Sequence, residues 1–400
     1  MAVVTSDRGR RQAAATQANF LYRPEVRQAI YQVVLVVLLL ALFYALVHNT
    51  AANLRKQNIA SGFDFVARTA GFDVSQSLID FNSSMTYGRA FLVGLLNTLL
   101  VAGLGIVVAT VLGFVIGIAR LSTNWLIARL ATVYVEVIRN VPLLLQLFFW
   151  YFAVLKALPP PRQSLTLPGG GFLNVRGLYV PAPIFEPGFE IVAATILLGI
   201  VAAAAVYAWA RRRQNLTGQQ FPVLWTSLGL IVGMPLLTHL MLGSPMTFEY
   251  PELKGFNFQG GMVLQPEFLA LLLGLSIYTA SFIAEIVRAG IQGVSKGQKE
   301  AALAIGLTQG QSLRLVVIPQ AMRIIIPPLT SQFLNLTKNS SLAVAIGYPD
   351  LVSVWSGTVL NQTGQAVEVI LVTMCVFLTI SLVTSAFMNW FNRRMALVER

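Results

Sequence analysis

Residues 300–319 read EAALAIGLTQGQSLRLVVIP, a polar, small-residue stretch set between two strongly apolar ones. It is too polar to cross a bilayer and too ordered in pattern to be a slack linker. Ser295 and Gln298 have the S-x-x-Q spacing of a capping box just before it, and Thr308 and Gln311 repeat that spacing within it. Gly306 falls between the two, where a helix can end in a left-handed residue, and Pro319 closes the second half. The pattern predicts two short helices at a bend, carried between membrane spans. Glu300, Ala301 and Ala302 open the stretch, and the two alanines are small enough to let another surface approach closely. Such a segment is expected to dock a partner. An amphipathic helix lying alone on the membrane interface is the bland alternative.

The rest of the chain supplies the spans. Of 400 residues 56% are hydrophobic and 11% charged, with mean hydropathy +0.70, more apolar surface than a soluble domain needs. The expectation is an all-α polytopic membrane protein with about eight transmembrane helices, near residues 29–47, 90–118, 126–158, 191–210, 221–242, 268–291, 321–346 and 367–390. Each approximates the ~20 residues that cross a bilayer, and the second and third are long enough to tilt.

The net charge of +12 does not form one basic stripe, which argues against nucleic acid as a partner; Lys and Arg alternate with the apolar stretches. With the amino terminus inside, 18 of the 28 basic residues fall on the cytoplasmic side and 8 outside, as the positive-inside rule requires. The same choice places both termini and residues 300–319 in the cytoplasm, with Asp350 among the outside carboxylates. The lone cysteine, Cys375, and the separated His48 and His239 offer no disulfide framework and no support for a metal site. Residues 1–28 read as a basic tail near anionic headgroups. The first stretch reads as a true span and not a signal peptide, because its basic region is long and no small-residue cleavage site follows it.

Between the third and sixth spans the loops are rich in Pro and Gly and hold little periodicity, which suits extracytoplasmic connections, either plain or packed on a partner. Gly113 with Gly117, and Gly229 with Gly233, give GxxxG patterns that permit close helix packing.

Polar groups within the apolar stretches are costly and so face a cavity or one another. Glu136 and Arg139 have the spacing to meet on one helix face; Asn140 and Gln146 extend the set, and Pro142 frees a carbonyl and kinks the helix at mid-depth. An opened helix at that depth is where transporters hold solutes, and a pair that only fixes packing is the alternative. The sixth span carries Ser281, with Glu285 and Arg288 reading as a structural ion pair near the docking segment. The seventh carries Pro327, Pro328, Asn335, Thr337, Lys338, Asn339, Ser340 and Ser341. Lys338 is too far from either end to snorkel and is expected to pair with Glu136 or to attract a substrate carboxylate. The candidate solute path is Glu136, Arg139, Asn140, Gln146, Ser281, Asn335, Lys338, Asn339 and Ser340.

The docking segment resembles the EAA loop of bacterial ABC importer permeases. Glu300, Ala301, Ala302, Gly306 and Pro319 match the family pattern, and Val316 and Ile318 stand conservatively for its Ile and Leu. The runs YVEVIRNVPLLLQL (134–147), IAEIVRAGIQGVSKGQKEAA (283–302) and LTKNSSLA (336–343) look like signatures of the polar amino-acid branch. The resemblance covers roughly residues 90–157 and 266–395 and implies a five-helix permease core, divided here into 90–158 and 266–395 with the docking loop at 295–319. Residues 29–89 are then a first span with its loop, 159–265 extracytoplasmic loops plus an inserted helix pair, and 396–400 a short cytoplasmic tail.

The length and the insertion look similar to permeases of general L-amino-acid importers, including glutamate, glutamine, aspartate and asparagine types. The resemblance implies a cytoplasmic ABC ATPase dimer, a second permease subunit and a periplasmic amino-acid-binding protein as partners in a bacterial inner membrane, and no cofactor. No G-x-x-x-x-G-K-[ST] run is present in the sequence, so ATP is expected to bind a separate subunit. A secondary transporter driven by protons or sodium through Glu136 and Glu285 is the rival reading, and it leaves the capped segment unexplained. An intramembrane enzyme lacks any nucleophile–base constellation.

Overall fold

The computed structural model describes residues 24–57 and 61–395; most of the basic tail read in 1–28, and the tail 396–400, lie outside the described residues. Helix α1 (Pro24–Lys56) is apolar from Val33 to Val47 and polar at both ends, and its membrane-length window buries none of its residues against the rest of the described chain. Helix α2 (Tyr87–Ala119) begins where the Thr86 hydroxyl accepts the Arg89 amide at 3.4 Å. Helix α3 (Trp125–Asn140) begins at Asn124, whose side-chain oxygen accepts the amides of Leu126 and Ile127 at 3.0 and 3.3 Å.

The third span is broken, where the sequence suggests one kinked helix. Val141 is extended at φ −96°, ψ 127°, because a residue before proline is driven out of the helical region. Helix α4 (Leu143–Phe148) then restarts at Pro142 and runs into a π-helical turn over Phe149–Leu155, bent 106° from α3.

Short strands follow in the Pro/Gly-rich loops, which the absence of periodicity had concealed: β1 (Leu165–Leu167), β2 (Gly171–Asn174), β3 (Gly177–Val180) and β4 (Ala182–Phe185). The inserted pair is α5 (Phe189–Thr217) and a return leg made of α6 (Val223–Leu228), a π turn over Gly229–Gly233 and α7 (Met234–Met241). Strands β5 (Met246–Glu249), β6 (Glu252–Lys254), β7 (Asn257–Gln259) and β8 (Met262–Leu264) come back from it. The antiparallel order β1-β2-β3-β8 forms one sheet with Phe172 opposite Tyr179 and Tyr179 opposite Val263, while β4 pairs β5 with Phe185 opposite Met246. The fold remains all-α in class; the sheets are small and sit in the loops.

Helix α8 (Pro266–Gln292) is the centre of the core. It leads through α9 (Lys296–Ala304) and α10 (Gln309–Ser312) into a π turn over Leu313–Val317 and then α11 (Ile318–Asn339), which continues as a 3-10 turn over Ser340–Ile346. A π-helical segment over Val352–Val359, α12 (Leu360–Thr363) and α13 (Ala366–Met395) complete the described chain. Helix α2 lies tightly along α8 through the first GxxxG pair. A Cβ on Gly113 would meet Ile283 at 2.5 Å, and one on Gly117 the Ala284 carbonyl at 2.7 Å. The second GxxxG makes no such contact, since Gly229 and Gly233 have open space around them and Gly199 of α5 packs on the Leu230 carbonyl instead. Leu147, Leu271, Leu275, Ile283, Ile325 and Leu336 fill the core. A second cluster around Phe65, Tyr87 and Trp355 closes the end of the bundle away from α9, with Phe65 and Phe91 on Trp355 at centroid distances of 5.5 and 5.1 Å.

Candidate functional site

The docking segment folds as two short helices about a left-handed bend. Gly306 has φ +88° with nothing within 4 Å of a would-be Cβ, so backbone conformation alone demands glycine there. The second capping box forms, Gln311 N–H to the Thr308 hydroxyl at 3.3 Å and Thr308 N–H to the Gln311 side-chain oxygen at 2.9 Å. The first does not: Ser295 makes no side-chain cap, and the Gln298 side chain accepts instead from Gln320 at 3.3 Å. Pro319 opens α11 instead of closing the second short helix, which flows into α11 through the π turn. Glu300, Ala301, Leu303 and Ile305 (79% exposed) face outward. Ala302 is 4% exposed and packs inward, so of the two alanines only Ala301 is available to a partner.

The charged residues pair differently from their spacing. Glu136 lies 3.9 Å from Arg120, and the Arg139 guanidinium sits over the Phe282 ring at 5.0 Å; the Glu136–Arg139 pair does not form. Glu285 and Arg288 do pair, and Arg120 joins them by donating to Glu285. Arg120, read from sequence only as an orientation signal, thus ties the end of α2 to α8. Lys338 is exposed and has no ion-pair partner among the described residues, so the expected bond to Glu136 is absent.

Several polar candidates are occupied by backbone. The Gln146 amide donates to the carbonyls of Ile138 and Val141, both at 2.9 Å, and so satisfies the acceptors freed at the α3–α4 break. Asn140 donates to the Glu136 carbonyl at 2.6 Å. The hydroxyls of Ser281 and Ser340, both fully buried, turn to the carbonyls of Tyr278 and Thr337 at 2.6 and 2.8 Å. The side chains of Ser281, Ser340 and Gln146 are thus engaged by backbone carbonyls of their own and neighbouring helical turns.

Asn335 and Asn339 do meet a cavity, of about 250 Å³, between α8 and α11. Gln332 joins them on α11, with Tyr278, Thr279 and Phe282 on α8. The i, i+3, i+7 spacing of Gln332, Asn335 and Asn339 carries the signal that sequence reasoning passed over. Carboxamides and two hydroxyls give this wall donors and acceptors without a carboxylate. Arg139 stands at its edge over Phe282, and Lys338 is one turn on from Asn335.

At the opposite end of the bundle Asp350, read from sequence only as one of the outside carboxylates, is completely buried. Its Oδ1 accepts the Ser353 amide at 2.8 Å while Oδ2 has no partner. Burial pushes its carboxyl up to about 7, against the lowering effect of nearby backbone amides.

An α-helical membrane bundle with a broken span, a polar cavity between two core helices and a capped helix–bend–helix at one end defines a transport permease subunit. The chain belongs to the family described as binding-protein-dependent transport system inner membrane component, whose profile matches residues 105–397. It is 57% identical to a general L-amino acid transport system permease protein of Rhizobium johnstonii, over 95% of each chain. It is 53% identical to a putative amino-acid ABC transporter permease protein of Escherichia coli, over 94% of this chain and 96% of that one. A glutamate/glutamine/aspartate/asparagine transport system permease protein of Rhodobacter capsulatus is 41% identical over 95% and 96% of the two chains. The protein is a multi-span membrane transport subunit of the ABC type.

Proposed function

We propose that this chain is one permease subunit of an ATP-driven importer for L-amino acids, chiefly those with polar, acidic and amide side chains. The observation that carries the reading is the capped bend at Gly306, with outward-facing Glu300, Ala301 and Ile305 that none of the described residues covers. It docks on a cytoplasmic ATPase dimer, and nucleotide-driven closure there rocks α8 and α11 through the helices that flank it. A second permease subunit completes the path, and a periplasmic amino-acid-binding protein delivers solute to the other end. Both termini are cytoplasmic. The five-helix core spans 90–158 and 266–395, with 29–89 and 159–265 as additions to it.

The solute path runs along Glu136, Arg139, Asn335, Lys338 and Asn339, with Asn140 at its margin. The cavity's carboxamides suit polar side chains, while Arg139 and Lys338 offer cations to an α-carboxylate. The relatives named for amino-acid transport support that substrate class, and the cavity's carboxamides, with Arg139 and Lys338 as the nearby cations, support acidic and amide side chains.

The test is Gly306→Val. A β-branched residue at positive φ costs about 1–2 kcal/mol, enough to shift the equilibrium constant for the bend roughly tenfold against it. Uptake should fall by about that factor in proteoliposomes holding the complex, with the spans still inserted and ATP hydrolysis no longer tied to uptake. Unchanged uptake, or uptake that stops when ion gradients are collapsed with ATP held constant, overturns the reading.

A further inference from the structure

The inserted hairpin ends in a tip that is chemically unlike the rest of the molecule. Arg211, Arg212 and Arg213 lie near the end of α5, and the chain turns back through Gly218 at φ +73° and Pro222 into α6. Residues 191–248 contain no Asp or Glu. Neither Arg211 nor Arg212 has an ion-pair partner among the described residues. Arg213 is used to build the turn: it donates to the Gln219 side chain at 2.7 Å and lies over the Trp209 ring at 5.4 Å, while Trp209 meets Phe221 edge-on at 5.2 Å. Between the two legs is a mostly polar cavity of about 430 Å³ lined by Tyr207, Arg211, Gln214, Gln220 and Phe221.

A positive-inside signal needs only charge near a span end. It does not need a polar cavity between the two legs, nor an arginine–tryptophan contact at the turn beside it. The surroundings say what fits. Tyr207, Trp209 and Trp225 are exposed around the tip, as rings at a headgroup layer are. Leu216 and Leu224 stand beside it in open contact with the surroundings. A ligand here has an anionic, hydrogen-bond-accepting head and apolar tails.

We propose that the tip is a binding site for an anionic phospholipid of the cytoplasmic leaflet, its phosphodiester held by Arg211 and the cavity amides and its acyl chains lying along the hairpin. Arg212 adds long-range attraction, and Arg213 is a positioning residue that keeps the cavity open. The leaflet assignment rests on the cytoplasmic orientation proposed above; the headgroup selection does not.

The complex, purified with its partner subunits, goes into nanodiscs of phosphatidylcholine carrying brominated phosphatidylglycerol or brominated phosphatidylcholine at equal mole fraction. The tryptophan emission that Trp209→Phe removes reports on the site. Its quenching should show phosphatidylglycerol favoured about fivefold or more, the factor that one arginine near an anionic surface supplies. Arg211→Gln with Arg212→Gln should bring the preference close to one. Equal quenching of that emission by the two lipids, with both arginines in place, overturns the proposal. So does a preference that survives the double substitution, one that inorganic phosphate abolishes (a free-anion site), or one seen in the isolated chain and lost on assembly (a site for a protein partner). Labelling of Gln219→Cys in a Cys375→Ser background from each side of the membrane tests the orientation separately, since a nanodisc offers the same lipid to both faces.

Discussion

Lys338 is the residue whose spacing misled and whose surroundings inform. It stands exposed beside a wall of carboxamides, with no ion-pair partner among the described residues, a costly state for an ammonium within a span unless water or solute meets it. Under the proposed path, Lys338→Met should lower uptake at least about tenfold, the equivalent of one hydrogen bond to a charged group. Assembly, followed by size-exclusion chromatography, should be unaffected; normal uptake kinetics would remove Lys338 from the path. Asp350 makes a different prediction. Its carboxyl is pushed up to about 7 by burial, so the native state holds a proton that the unfolded chain, near 4, has already released. Stability therefore falls as pH rises from about 4 to about 7, by up to roughly 4 kcal/mol, and is flat on either side of that window. Asp350→Asn should erase the slope in thermal melts of the detergent-solubilised protein at pH 5 and pH 8, and an unchanged slope would discount this carboxyl. Which residues carry charge inside the spans was legible in the sequence. Their partners were not, because a three-residue spacing says that Glu136 and Arg139 can meet but is silent about Arg120 arriving from another helix.

At the scale of elements, the two GxxxG patterns are identical in sequence terms and opposite in structure. Gly113 and Gly117 let α2 lie against α8, whereas Gly229 and Gly233 border open space. Gly113→Ala should cost about 1–3 kcal/mol through overpacking against Ile283, while Gly229→Ala should be neutral or slightly stabilising, as alanine's helix propensity predicts. Equal melting shifts for the two would contradict this packing. The α3–α4 break depends on Gln146, whose one amide serves two carbonyls. Gln146→Leu leaves both acceptors without a donor, at about 1–3 kcal/mol each when buried, and should lower the melting temperature more than Asn140→Leu does. That Pro142 would disturb the third span could be read directly from the chain. That the disturbance is a 106° break depends on whether the freed carbonyls find a donor, and the donor lies beyond the bend. The docking segment was the most legible element, because a capping box and a glycine at positive φ are local devices whose partners lie within four residues.

For the whole molecule, hydropathy revealed the spans but not which of them belong together. Helix α5 and its return leg pack on each other and make no extensive contact with the core helices; β4 and β5 are what join them to the rest. Those two strands already bring the ends of the insertion together, with Phe185 opposite Met246 and the Glu186 amide donating to the Pro245 carbonyl at 2.9 Å. The strands themselves escaped notice since each is only three or four residues long, too short for an alternating pattern to register. Their pairing makes a strong prediction. Excision of residues 187–244, with an Asn-Gly link between Glu186 and Pro245 to suit a tight hairpin turn, should leave the helices packed around α8 folded. The shortened chain should melt within a few degrees of the intact one and, under the proposed docking, should still co-purify with an ATPase, because α9, Gly306 and α10 are untouched. It should also lose any preference for anionic lipid that depends on Arg211. Collapse of the core on excision would mean that the hairpin braces the bundle, and that the looseness of its contacts is no guide to its role. Retention of the core with loss of the lipid preference would instead separate a transport engine from a membrane-sensing appendage within one polypeptide.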